Sequence, residues 1–191
     1  MLAAFDCLVM LSALFAFTKA RRAQLTDVLA ALGFLLIAGA AGVGTMRYAG
    51  LAELKPLHQW ASTLASVYGV PAIAAGFFLQ AEELRDNKVI GLATVLLIVP
   101  GILFFSSPLY SLIIGICAQL IWILAAVRFQ RVYPGIPLRI GLSVAFISVA
   151  GLFFTGEGST FSIRNENWFH GLLAAGIVQQ GLLFARLKQR G

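Results

Sequence analysis

Apolar runs near the length needed to cross a hydrocarbon core recur along the whole chain, separated by short polar breaks. Seven can be drawn, at 2–18, 27–46, 57–81, 89–105, 109–127, 138–155 and 168–185. In lipid each backbone N–H and C=O must find a partner within its own segment unless strands close into a barrel, and barrel strands alternate polar and apolar residues. These runs do not alternate. The pattern therefore predicts an all-α, polytopic integral membrane protein of seven transmembrane helices. No extended linker or low-complexity stretch interrupts it, so residues 1–191 read as a single transmembrane domain. The first run lacks a basic region before its apolar stretch and is followed instead by Lys19, Arg21 and Arg22, so it reads as a retained span rather than a cleaved signal peptide.

Composition agrees: 60% of the 191 residues are hydrophobic and 12% are charged, a surface water could not solvate in a folded soluble domain. Charge adds orientation. With the amino terminus outside and seven crossings, the inner side receives Lys19, Arg21, Arg22, Arg85, Lys88, Arg128, Arg131, Arg139, Arg186, Lys188 and Arg190. The outer side receives Arg47, Lys55 and Arg164. Eleven against three is the bias of the positive-inside rule, which predicts a cytoplasmic (inner) membrane of bacterial type and a cytoplasmic carboxyl terminus. The net charge of +6 is thereby accounted for by insertion, and the lipid bilayer rather than nucleic acid is the expected partner.

The two longest breaks, 47–56 and 156–167, both fall outside and suggest an internal repeat. The first and last three spans run in the same order of orientation, as halves 1–81 and 109–191, with 89–105 as a connector helix. In each half the first span ends in a basic loop (Lys19 to Arg22, Arg128 to Arg131), and the third opens with histidine, Leu57-His58-Gln59-Trp60 against Trp168-Phe169-His170-Gly171. A parallel repeat relates its halves by an axis along the membrane normal, so equivalent residues lie at equal depth. The arrangement resembles the three-plus-one-plus-three organisation of the small sugar transporters called SWEETs, which also have an external amino terminus. The resemblance is one of topology. The proline those repeats carry in the first helix of each triplet is absent from 2–18 and 109–127, and Pro71 and Pro100 occur in the third and fourth spans instead. It implies no sugar substrate and no binding residue here. The seven-helix hydrolases and receptors related to alkaline ceramidase carry an HxxxH pair in the last helix, whereas here the residue four after His170 is Ala174. With two histidines in the chain, a three-histidine zinc site is excluded.

His58 and His170, at one depth, are the candidate metal ligands. Two imidazoles from separate helices can bind opposite faces of one haem, and a bis-histidine haem b needs no third side-chain ligand. Arg47 would pair with a propionate, Trp60 and Trp168 would pack against the rim, and membrane redox chemistry with a redox partner would follow. The alternative uses the same outward-facing polar site without a cofactor, to exchange protons with a small-molecule ligand in a transporter or sensor. A structural membrane partner also fits, as does an ordinary interfacial role for the histidines and tryptophans.

Other polar positions extend the site. His58, Ser62 and Ser66 are spaced by four, with Gln59 and Thr63 alongside, and form one stripe on the third span; Tyr68 continues it inward and Pro71 should loosen the helix there. Asp6, five residues into the first span, needs a partner in lipid, and Arg47 on the same side is the expected one. Gln119, Gln179 and Gln180 read as interhelical hydrogen-bonding groups. The run from Glu82 to Lys88 reads as a solvated loop, and Cys7 and Cys117 as small buried hydrophobes. No Walker loop, GxSxG elbow or HExxH motif occurs.

Overall fold

The computed structural model describes residues 1–20, 25–82, 86–130, 135–154 and 158–187. Arg21, Arg22, Arg85, Arg131, Lys188 and Arg190, six of the eleven basic residues expected inside, lie outside the described residues, as do Glu83, Thr155, Gly156 and Glu157.

Among the described residues each apolar run forms a helix long and apolar enough to cross a membrane, seven in all. Six are single helices: α1 (Leu2–Ala20), α2 (Leu25–Tyr48), then, after the third span, α5 (Asn87–Phe104), α6 (Pro108–Gln130), α7 (Ile136–Phe153) and α8 (Asn165–Leu187). The third span is compound, with α3 (Lys55–Leu64) and α4 (Val70–Ala81) joined by one π-helical turn, Ala65–Gly69. A short antiparallel hairpin of β1 (Ser159–Thr160) and β2 (Ile163–Arg164) leads into α8.

Local chemistry sets the helix starts. The Asp86 carboxylate accepts the Lys88 N–H at 2.8 Å and so supplies one of the donors at the start of α5 with a partner. Pro56, Pro108 and Pro137 sit in first turns, where a missing N–H costs no helical hydrogen bond. Gly135, at φ 95°, turns the chain into α7 through a conformation that a side chain would strain.

Small residues bring the helices together. On α1, Val9, Ala13, Ala16 and Ala20 recur at steps of four, three and four and are at most 2% exposed, so one face of this helix packs closely between α2 and α8. Neighbours then run from α2 to the third span, α6, α7 and α8, with α5 loosely attached outside. The centre of the bundle, at the end away from the histidines, is filled by Phe34, Phe77 and Phe184. The Phe184 ring lies 4.3 Å from Phe77 and 6.0 Å, edge-on, from Phe34.

Hydrogen bonds stitch the second half. Ser143 Oγ donates to the Gly176 carbonyl at 3.0 Å, Arg139 Nη1 donates to Gln179 Oε1 at 3.1 Å, and Ser148 donates to Gln119. Two of the three glutamines thus bridge helices as expected. Glu82, read from sequence as part of a solvated loop, instead reaches Arg128 of α6 at 2.6 Å. Because Arg128 is more than half exposed, this pair contributes little to stability by itself. The outer surfaces of α5, α6 and α7 are apolar, with Leu96, Leu103, Leu109, Leu112, Leu138 and Leu152 all well exposed.

Candidate functional site

At one end of the bundle the last turn of α2, the first turn of α3 and the second turns of α1 and α8 bring Asp6, Arg47, His58 and His170 together. Asp6 is 2% exposed. Its Oδ1 lies 3.3 Å from His170 Nε2, and its Oδ2 is buried without a hydrogen-bond partner. The expected Asp6–Arg47 ion pair is not formed. Arg47 turns instead to His58, its Nη1 donating to His58 Nδ1 at 2.9 Å.

That bond fixes the His58 tautomer. A guanidinium has donors and no acceptor, so Nδ1 must be the unprotonated nitrogen and Nε2 carries the proton. Tyr48 holds the same group from below: the Arg47 guanidinium lies 4.6 Å above its ring, and the His58 ring meets it edge-on at 5.8 Å.

Gly44 explains how the groups converge. It lies three residues before Arg47, one turn away on the same face of α2. A Cβ at this position would come 2.5 Å from Asp6 Oδ2 and 2.8 Å from His58 Nε2. Both atoms therefore crowd the same point over a bare backbone. Asp6 meets His170 through one oxygen, and its other oxygen shares the space over Gly44 with His58 Nε2. His170 Nδ1 is also buried without a partner, as is Oδ1 of Asn167, one turn earlier on α8 and 1% exposed.

The remaining sequence candidates are placed elsewhere. Trp168 donates its indole N–H to the Thr160 carbonyl at 3.0 Å and stacks on Phe154, so it secures the hairpin. Trp60, Gln59 and Ser66 are exposed and Ser62 is half-buried, and the Thr63 hydroxyl donates to the Gln59 carbonyl of its own helix at 3.0 Å. Tyr68 stacks on Phe105 and lies against Gly101 of α5. Of the polar stripe on the third span, then, His58 is the member that reaches the cluster. Cys7 is half-buried and Cys117 exposed, and both are free thiols. Among the described residues no group of three or more His, Cys, Asp or Glu side chains is arranged to hold a metal ion.

Gly44, Tyr48 and Asn167 were not found from the sequence. Gly44 alone had a legible signal, its one-turn spacing from Arg47. The chain matches no protein-family model, no curated protein and no solved structure.

Proposed function

We propose that this chain is a multi-pass protein of the cytoplasmic membrane, amino terminus outside and carboxyl terminus in the cytoplasm, whose outer His58–Asp6–His170 cluster exchanges protons with a small solute in a transporter or sensor. The observation that carries this reading is the Asp6 carboxylate, buried in a membrane-length helix, paired to His170 through one oxygen and unpartnered at the other beside His58. Ionisable groups at such positions are costly, and their usual return is ion or proton traffic. The exposed leucines of α5, α6 and α7 support insertion, because a bilayer solvates them and water does not. The order of neighbours supports the repeat. Going round the bundle as α1, α2, third span, α6, α7, α8, it maps onto itself when residues 1–81 and 109–191 are exchanged, with α5 left outside as connector.

The haem b reading uses the same pair of histidines. Axial ligation requires each ring to offer a free nitrogen to opposite faces of one iron. Here His170 Nε2 is turned to Asp6 and both rings converge on the carboxylate, which favours proton exchange.

With two histidines in the chain, imidazole nitrogen NMR of the protein in nanodiscs gives two assignable sets of signals. His58 is expected as the Nε2–H tautomer, and the titration of each histidine should shift when the other is replaced by glutamine or when Asp6 becomes asparagine. Independent titrations untouched by Asp6→Asn would remove the proposal. A Soret band lost in His58→Ala and His170→Ala would put the haem reading in its place.

Topology has its own test. A reporter fused after Gly191 should be cytoplasmic and one inserted near Ser159 should lie outside. Finding both on one side would break the seven-span insertion on which the outward-facing site depends, and finding them exchanged would reverse it.

A further inference from the structure

The third span is built as two unlike segments. Its α4 part is embedded, with Pro71, Ile73, Ala74 and Phe77 buried in a segment that packs on α2 and α6, and Leu79 buried with Leu29 of α2 and Ile90 of α5. Its α3 part, which carries His58, has no buried residue and packs mainly on α2. Between them lies the π turn Ala65–Gly69, where an extra residue per turn interrupts the regular hydrogen-bond ladder.

This junction is clamped. A Cβ on Gly33 would run into the Gly69 carbonyl oxygen, and one on Gly69 would come 3.1 Å from the Gly33 carbonyl oxygen, so α2 and the third span cross backbone to backbone at the turn. Tyr68, within the turn, presses on Gly101 of α5. Above the clamp, α3 is tied to the bundle by His58, which meets Arg47 and Tyr48, and by the half-buried Ala61. Segments with few buried contacts open first.

We propose that α3 is an outer gate. It pivots on the π turn held by Gly33 and Gly69, is latched by His58 on Arg47, and uncovers the Asp6–His170 pair to the outer side when the latch releases. The same histidine then serves the site and closes it. Release of His58 from Arg47 frees Nδ1 at the moment the site opens, so occupancy of the site and position of the gate are linked through one ring. The proposal rests on the outward-facing reading of the site, but its movement is readable without any solute.

Amide hydrogen exchange of the protein in nanodiscs tests it. Residues 55–64 should exchange together and faster than 70–81, which share their span and differ in packing. Arg47→Ala should raise the rate of 55–64 by about tenfold to a hundredfold, the range expected for one lost hydrogen bond to a charged donor, and leave 70–81 unchanged. A second measurement covers the case where Arg47→Ala does not fold. In a Cys7→Ser, Cys117→Ser background, Ala61→Cys, half-buried on the inner face of α3, should react with a membrane-impermeant maleimide added outside, and His58→Gln should speed that reaction. Exchange of 55–64 and 70–81 in step, or an Ala61→Cys thiol that stays unreactive in both backgrounds, would overturn the gate. Failure of the coupled histidine titrations with the segmental exchange intact would instead count against the proton role alone.

Discussion

Asp6→Ala is expected to destabilise the protein in detergent by about 2 kcal/mol, and most of that loss should be shared with His170→Ala. The two groups lie 3.3 Å apart and their side chains are 3% and 16% exposed, so neither is well solvated when its partner is removed. A double-mutant cycle isolates the contact: residues that touch couple by roughly 0.5–3 kcal/mol, whereas separate ones add. Asp6·His170 coupling should fall in that range, and Asp6·Arg47 coupling, measured with Arg47→Ala, should be smaller because Arg47 hydrogen-bonds His58. Denaturant midpoints in one detergent suffice if the slopes stay constant. Equal coupling of Asp6 to both partners would mean that the carboxylate is divided between them.

The sequence suggested the other pairing for a physical reason. Arg47 carries a fixed charge on the expected outer side, and a carboxylate in lipid seeks a cation, so charge alone selects it over a histidine. What charge counting misses is direction. His170 reaches Asp6 because α1 is packed between α2 and α8 by small residues, and Arg47 is drawn away by the start of α3, which follows it after a short turn. The spans themselves were legible because length and apolarity suffice for a membrane-length helix. Which face of each helix meets its neighbours was not, since a span that is apolar all round carries no amphipathic signal. The polar stripe shows the same limit. Steps of four keep His58, Ser62 and Ser66 on one face of a regular α-helix, but Ser66 lies within the π turn, which holds more residues per turn, and is exposed. Pro71, where the sequence suggested a loosened helix, lies two residues past the π turn at which the register changes.

Gly33→Ala and Gly39→Ala should act with opposite signs, although both replace a glycine in the middle of α2. At Gly33 the new methyl would meet the Gly69 carbonyl oxygen and would lie 2.6 Å from Ile73 Cγ1. A carbonyl at a helix crossing cannot swing aside as a side-chain tip can, so α2 and the third span must separate along the contact. Overpacking of this kind costs about 1–3 kcal/mol, and the cost here should lie at the upper end because backbone atoms are involved. At Gly39 nothing lies within 4 Å of the added Cβ. There alanine keeps its helix-propensity advantage, up to about 1 kcal/mol, and should stabilise. Thermal unfolding in one detergent compares the pair directly, and a loss of similar size at both positions would sink the Gly33·Gly69 crossing. The site gives a second readout. His58 is carried on the segment above that crossing, so in Gly33→Ala the tautomer fixed by Arg47 should be lost or mixed, while Gly39→Ala should leave both imidazole signals where they are in the unmodified protein.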